Sequence, residues 1–217
     1  MTSKTTENAR HSSASNEHYT PTDIVESARR TLVSIDLDPA SCAAANTQVR
    51  ANRYYDKEMN GYTMAWEGRV FLNPPGGWAD DQGRPVLKAS GGLAPCTENG
   101  RCGLPPGHRH SGIDSSQKMW WQKLARCWEN GEVSAAVFVC FSIELLQSTQ
   151  VDAKGPLPLE FPICYPSRRV AYIGEDGKVG ASPPHASCIV CVSNTEETIR
   201  RFVQAFFRLG HVVVPGG

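Results

Sequence analysis

The sequence lacks net charge, long apolar runs and a secretory leader. Its 22 Lys and Arg balance its 22 Asp and Glu, so no global basic field attracts nucleic acid, and any DNA contact must come from a local basic face. No apolar run approaches the roughly 20 residues of a membrane-spanning helix, and no charged N-terminal segment precedes an apolar one. We therefore expect a soluble, cytoplasmic protein that does not contact membranes.

Internal repeats are also absent, and the length of 217 residues favours one domain over two. Residues 1–16 are rich in Ser, Thr, Asn and charge and have no apolar periodicity, which predicts a disordered arm. Residues 17–217 are expected to form the domain. Within it, residues 76–116 are rich in Gly, Pro and charge and far exceed ordinary loop lengths, so they are predicted to be a functional or disordered insertion.

Apolar spacing elsewhere predicts alternating helices and strands. A helix is expected after Thr20 and Pro21, a pair typical of a helix start. The other predicted helices are residues 41–53 and 117–129, a short one from 142, and one after 195; the predicted strands are residues 34–39, 68–72, 133–141, 163–173, 186–192 and 212–214. The run 133–141 is typical of a central parallel strand, and the next two strands suggest an antiparallel pair. The alternation predicts a doubly wound α/β sheet.

Short motifs carry a family resemblance. Before the insertion they are His18-Tyr19-Thr20-Pro21, Ile35-Asp36-Leu37-Asp38-Pro39-Ala40-Ser41, Tyr54-Tyr55 and Trp66-Glu67-Gly68-Arg69-Val70-Phe71-Leu72-Asn73-Pro74-Pro75; after it they are Trp121-Gln122-Lys123-Leu124, residues 137–141, Pro162-Ile163-Cys164 and residues 182–187. In order and spacing, these motifs resemble the phage-encoded DNA N-6-adenine-methyltransferase family. The resemblance covers nearly everything except residues 1–16 and the insertion.

This resemblance implies a Rossmann-like methyltransferase sheet with S-adenosylmethionine as methyl donor and double-stranded DNA as partner. It also implies a phage- or prophage-encoded protein that works in the cytoplasm of a bacterial host. The implied cofactor residues are Tyr19, Thr20 and Pro21 at the methionine end, and Asp36, Asp38, Pro39 and Ser41 near the ammonium and sugar. The glycine-rich cofactor loop of many relatives is replaced here by small residues at 39–43.

Asn73-Pro74-Pro75 follows a predicted strand, at the end where open α/β sheets bind ligands. An amine conjugated to a ring is a poor nucleophile. The Asn73 side-chain oxygen and the Pro74 carbonyl can each accept one amine hydrogen, and both interactions strengthen as positive charge develops on nitrogen. Pro74 and Pro75 stiffen the turn and pre-set both acceptors. We expect these three residues to be catalytic and the target base to be flipped into the pocket.

The position after Pro75 departs from the family, which has Tyr or Phe there to stack on the base. Here Gly76 and Gly77 precede Trp78, and we predict that Trp78 supplies the stacking. Two alternatives stay open. The same acceptors would also hold a cytosine N4 amine or a protein glutamine amide, and the missing aromatic is compatible with a catalytically inactive DNA-binding or interaction module.

Cysteine usage suggests a metal site in the insertion. Without a secretory signal, the eight cysteines do not indicate a disulfide framework. Two Cys and two His could hold a structural zinc ion that folds this apolar-poor segment, the alternative being free thiols in a flexible loop. The candidate ligands are Cys96, Cys102, His108 and His110. The other six cysteines are predicted to pack in the core.

Two short basic stretches could contact DNA phosphates. One is Arg50, Arg53 and Lys57, which lie around the two tyrosines at 54 and 55, and the other is Arg168-Arg169. The alternative for both is ordinary solvated charge.

Overall fold

The structure is a computed structural model that describes residues 18–79, 82–83, 85–86, 114–151, 153–174, 177–179 and 185–216. The strands in these residues are β1 (His18–Tyr19), β2 (Leu37–Asp38), β3 (Arg53–Tyr54), β4 (Gly68–Leu72), β5 (Trp78–Ala79), β6 (Pro85–Val86), β7 (Asp114–Ser115), β8 (Val133–Cys140), β9 (Ile163–Pro166), β10 (Ile173–Gly174), β11 (Cys188–Val192) and β12 (Gly210–Val213). The α-helices are α1 (Thr22–Leu32), α2 (Ala43–Val49), α3 (Ser116–Glu129), α4 (Glu144–Ser148) and α5 (Glu196–Phe206).

Seven of the described strands form the central sheet, in the order β12-β9-β11-β8-β4-β2-β3. β3, β2, β4 and β8 run parallel to one another. β11 lies antiparallel to both β8 and β9, and β12 is antiparallel to β9. β9 therefore points the same way as β8. The predicted central parallel strand and antiparallel pair are confirmed, and the sheet as a whole is mixed.

Helices flank this sheet on both faces, which confirms the α/β expectation. Alternate residues of β8 point to opposite faces: Phe138 packs with α3 and α4, whereas Val139 packs with α1 and α5. Trp121 of α3 meets the Phe138 ring edge to face at 5.4 Å. Because both faces of β8 are covered, its sequence is apolar almost throughout. No helix in the described part of the chain is long and apolar enough to span a membrane.

The predicted helix at 41–53 is confirmed only for residues 43–49. α2 stops at Val49, Arg50 adopts a left-handed φ of 54°, and the chain enters β3 at Arg53. The Asn46 side chain explains the stop: its oxygen accepts from Ala51 N at 2.8 Å and its nitrogen donates to Ala51 O at 3.2 Å. Such side-chain bonds compete with helix continuation.

The predicted strand at 163–173 is likewise split in two. β9 ends at Pro166, which cannot donate to a further ladder bond. β10 pairs instead with β1, outside the central sheet.

Three short strands mark the ends of the predicted insertion. β5 lies between β6 and β7 and is antiparallel to both, and Ser116 N donates to Gly77 O at 3.0 Å. The chain therefore leaves the sheet after β4 and returns to the same point to begin α3. Most of residues 80–113, and all of residues 1–16, lie outside the described residues.

Candidate functional site

The strand order reverses between β2 and β4. From β2 the chain moves to β3 on one side, and it then crosses to β4 on the other side. Such a topological switch point is where open α/β sheets bind ligands, outside the carboxyl ends of the strands. Leu37 is level with Val70, so Asp38 corresponds to Phe71 and Asn73 lies two residues further along the neighbouring strand. Neighbouring strands are about 4.8 Å apart. We call the edge formed by the carboxyl ends of β3, β2, β4 and β8 the carboxyl edge.

Asp38 is a buried carboxyl group at this edge, 3% exposed. Burial raises its pKa to about 7; the nearby Ser41 hydroxyl and the Ala40 N–H oppose this rise. Ala40 N donates to Asp38 Oδ1 at 3.3 Å. Among the described residues, no Lys or Arg pairs with Asp38.

Ser41 leaves a second buried polar atom beside Asp38. Its hydroxyl is near enough to Asp38 to lower the pKa of the carboxyl group, and within the described structure Ser41 Oγ makes no full hydrogen bond. Buried polar atoms are normally satisfied, and perturbed carboxyl groups concentrate at functional sites. A ligand with a cationic group and hydrogen-bonding groups would satisfy both side chains.

The loop of residues 55–66 explains why Asp38 is buried. A Cβ atom on Gly61 would lie 1.9 Å from the Pro39 carbonyl oxygen, so only glycine allows the loop to approach this closely. Tyr55 N donates to Asp38 O at 3.0 Å, and the Trp66 indole donates to Gly61 O at 2.7 Å. The loop therefore shields the end of β2 from water.

The predicted cofactor residues before α1 lie against the same segment. The Cys42 thiol lies 3.8 Å from the Tyr19 hydroxyl, and the Gln48 side chain donates to Thr20 O at 2.9 Å. Pro21 caps α1, and its carbonyl accepts from the first turn. The structure thus brings Tyr19 to the start of α2, just after Asp38, Pro39 and Ser41, whereas Thr20 contacts the end of the same helix. Cys42, predicted to be a core residue, instead caps α2 by accepting from Ala45 N.

Asp36 has a different environment from Asp38. The Arg69 guanidinium binds it through Nε to Oδ2 at 2.9 Å and Nη2 to Oδ1 at 3.1 Å. The Arg69 N–H also donates to Oδ2 at 2.9 Å. The side-chain hydrogen bond from Arg69 is the main reason that the pKa of Asp36 is lowered. Asp36 thus joins the start of β4 to the segment before β2, and the structure does not bring its carboxylate to the carboxyl edge.

A second aromatic candidate, Phe141, lies close to the acceptor motif Asn73-Pro74-Pro75. Pro74 is buried and Asn73 is half-buried. A Cβ atom on Gly76 would lie 3.2 Å from Phe141 Cε1 and 3.3 Å from Cζ, so the Phe141 ring occupies the space beside Gly76. The backbone of Trp78 lies in β5, while its side chain lies outside the described part of the structure. The sequence interpretation missed Phe141, although its place just after β8 was visible.

Asp56 is a further acidic residue that the sequence interpretation missed. It follows β3, so it also belongs to the carboxyl edge. One of its carboxylate oxygens accepts from Met59 N at 2.9 Å. In doubly wound nucleotide-binding sheets, an acid near this point binds ribose hydroxyls. No signal in the sequence indicated it, because residues 41–53 were predicted to be helical and no strand was predicted to end just before Asp56.

The basic stretches divide between the two ends of the sheet. Lys57 is exposed and follows Asp56, and Arg168 and Arg169 are exposed and follow β9, whose carboxyl end points the same way as that of β8. Arg53 begins β3 and lies 3.9 Å from Glu67. Of the two basic stretches, Lys57, Arg168 and Arg169 therefore lie near the carboxyl edge.

The four candidate zinc ligands, Cys96, Cys102, His108 and His110, lie outside the described residues. Within the described ranges, no group of three or more His, Cys, Asp or Glu side chains could hold a metal ion. The prediction that the remaining cysteines pack in the core is confirmed for five of them, which are buried: Cys127, Cys140, Cys164, Cys188 and Cys191.

We expect the purified full chain to contain one zinc ion per molecule, because residues 76–116 have few apolar side chains to offset the entropy of ordering. The Cys96→Ser, Cys102→Ser double variant should lose the metal, and Cys127→Ser should keep it. Elemental analysis of the three proteins measures this. Absence of stoichiometric zinc from the wild type would contradict the site, and zinc retained in the double variant would place the ligands elsewhere.

Comparisons with known proteins add no relative. No protein family, curated protein or solved structure matches the chain. The family resemblance drawn from the motifs therefore stays a prediction, and the function is inferred from the residues at the carboxyl edge.

Proposed function

We propose that the protein transfers a methyl group from S-adenosylmethionine to the exocyclic N6 amine of adenine in DNA. The observation that carries this proposal is the pairing of two features on neighbouring strands at the switch point. Asp38, a buried carboxyl group with no cationic partner among the described residues, ends β2, and the acceptor motif Asn73-Pro74-Pro75 follows β4.

The donor side of the site fits S-adenosylmethionine. This cofactor supplies an electrophilic methyl group on a positively charged sulfur, and it also carries an ammonium group and ribose hydroxyls. Asp38 would accept from a cationic or hydroxyl group, and Ser41 would use its unsatisfied buried hydroxyl. Tyr19 lies beside this segment, and Asp56 ends the neighbouring strand, where ribose is bound in nucleotide-binding sheets.

The acceptor side fits an amine attached to a planar ring. Asn73 Oδ1 and the Pro74 carbonyl would each accept one amine hydrogen, which draws the nitrogen towards tetrahedral geometry and aims its lone pair. Both contacts strengthen as the nitrogen becomes positive, so they stabilise the transition state more than the ground state. The fixed φ of each proline keeps the two acceptors in place before the substrate arrives.

Adenine and DNA as the target follow from the family resemblance, and the basic residues are consistent with them. Counted in strands from β4, Lys57 lies two strands away on one side, and Arg168 and Arg169 lie three strands away on the other. At the usual strand spacing these are lateral distances of about 10 and 14 Å. Phosphates on both sides of a flipped base could reach cations placed in this way.

The direct test uses the purified full chain, tritiated S-adenosylmethionine and unmethylated plasmid DNA. We expect saturable cofactor binding by calorimetry and transfer of tritium to DNA. Mass spectrometry of the digested product should show N6-methyldeoxyadenosine. No cofactor binding would refute a methyltransferase; N4-methylcytosine would reassign the base, and cofactor binding without DNA labelling would remove DNA as the target.

A further inference from the structure

We propose that Phe141 is the side chain that stacks on the planar acceptor held at Asn73. Gly76, which has no side chain, leaves room for the Phe141 ring. The identity of the acceptor rests on the proposed function, whereas the position of the ring does not. Phe141 would therefore replace both the aromatic residue expected at position 76 and the stacking role predicted for Trp78.

Strand register places Phe141 beside the acceptor motif. β8 and β4 are adjacent and parallel, and Leu72 is level with Phe138. Pro75 and Phe141 each lie three residues beyond this pair, after the ends of their strands at the carboxyl edge. The ring leans towards β4, because a Cβ atom on Gly76 would lie only 3.2 Å from it.

The geometry of Gly76 supports the exchange independently. Its φ lies outside the left-handed region, whereas Gly77 has a φ of +84°, so the backbone requires glycine at position 77 and not at position 76. What limits a side chain at 76 is the Phe141 ring. A contact of 3.2 to 3.3 Å is tighter than ordinary van der Waals distance, so an aromatic at 76 and the ring at 141 would compete for one space.

Phe141 is also held as a rigid platform. Its N–H donates to the Gln117 side chain at 2.9 Å, and Gln117 is itself buried. Its carbonyl accepts from Ser187 Oγ at 3.3 Å. The ring, which is half-buried, meets the His185 ring at a steep angle of 73° and 6.2 Å. Because these hydrogen bonds fix the backbone of Phe141, they limit the conformational entropy that is lost when a ligand stacks on its ring.

A stacking platform narrows the class of acceptor. Every nucleobase has an apolar π-face, so aromatic stacking recognises bases regardless of their sequence context. A glutamine amide offers far less planar surface. Among the acceptors compatible with Asn73 and Pro74, the Phe141 ring therefore favours a flipped nucleobase over a protein amide.

The experiment uses two measurements on the full-length protein. The first is methyl transfer to unmethylated plasmid DNA. The second is fluorescence quenching of 2-aminopurine in a single-stranded oligonucleotide, which reports stacking without methyl transfer. Phe141→Ala should lower the rate of methyl transfer and the affinity for the 2-aminopurine probe by about 10- to 100-fold. Both should stay near wild type in Phe141→Tyr. The matched control is Phe207→Ala, an exposed phenylalanine just after α5, which should leave both unchanged.

An exchange variant tests the shared space. Gly76→Tyr alone should lower probe affinity, because the new side chain displaces the Phe141 ring. Adding Phe141→Ala to it should recover part of the loss, a non-additive result that a structural role for either residue would not produce. The melting temperature of each variant serves as the folding control, because it does not depend on the proposed function. Calorimetric affinity for S-adenosylmethionine should stay unchanged in all these variants.

The outcomes separate this proposal from the proposed function. If quenching depends on Phe141 but the protein transfers no methyl group, the stacking role of Phe141 stands and the proposed methyltransferase function is refuted. Equal quenching by wild type and Phe141→Ala, or no quenching by wild type, would overturn the platform even if methyl transfer is present. If Trp78→Ala loses quenching and Phe141→Ala does not, the stacking role of Phe141 is also overturned and stacking is assigned to Trp78.

Discussion

Replacement of Asn73 by alanine is expected to lower kcat for methyl transfer by about 100- to 1,000-fold, while affinity for S-adenosylmethionine changes little. The size follows from the loss of one pre-set group that stabilises charge in the transition state. The cofactor is spared because its proposed contacts, Asp38, Ser41, Tyr19 and Asp56, do not include Asn73. Single-turnover transfer of tritium to DNA and calorimetry measure the two effects.

Two further variants sharpen the Asn73 test. Asn73→Asp keeps an acceptor oxygen of similar reach and should retain more activity than the alanine variant. Asn194→Ala removes an exposed asparagine from the turn before α5 and should behave as wild type. An unchanged kcat in Asn73→Ala would refute the acceptor role of the motif.

Replacement of Asp38 by asparagine is expected to have opposite effects on ligand binding and stability. A charge-assisted contact contributes roughly 1.5–3 kcal/mol to the free energy of binding. Its loss should therefore lower cofactor affinity by about 10- to 150-fold. The ligand-free protein should become more stable at pH 8, because an ionised buried carboxylate without a cationic partner is unfavourable. Calorimetry and thermal unfolding measure the two changes.

The pH dependence of Asp38 gives this prediction a definite sign. Burial raises the pKa of Asp38 from 3.8 to about 7, so the folded state binds more protons than the unfolded state between these values. Its contribution to stability is complete below about pH 3.8 and is lost as pH rises through 7. The stability advantage of Asp38→Asn should therefore widen from pH 5 to pH 7 and stay constant above that.

Cofactor binding should show the same ionisation. Since the proposed contact needs the carboxylate, wild-type affinity should rise about tenfold between pH 6 and pH 8 relative to Asp38→Asn, a comparison that removes titration of the ligand's own groups. Asp36→Asn is the matched variant for stability: it removes the Arg69 pair and should destabilise the protein at pH 8. If Asp38→Asn also destabilised the ligand-free protein, the carboxyl group would be structural.

The elements around the site were predictable where local signals are strong. β4 begins and ends as predicted, because an apolar run leads directly into two prolines. α5 begins after Thr195, whose hydroxyl accepts from Thr198 N as a helix cap should. The expectation that a ligand binds at the carboxyl end of β4 then follows from a general rule of α/β sheets.

Long-range contacts account for what the sequence did not reveal. The burial of Asp38 depends on Gly61 meeting Pro39, and the different environment of Asp36 depends on Arg69. Local periodicity identifies strands but does not state which strands become neighbours. For the same reason Phe141, far from Gly76 in the chain, could not be recognised as its partner.

The short sheet of β5, β6 and β7 has an evolutionary consequence. β5 follows the acceptor motif, β7 leads into α3, and Trp78 lies opposite Ser115. Residues 87–113 therefore begin after β6 and end before β7, two strands that both pair with β5. Because loop closure depends only weakly on length, the length of this stretch can change in evolution while β5 stays paired with β6 and β7. The arrangement of the strand ends at the carboxyl edge can therefore be inherited while the stretch itself diverges.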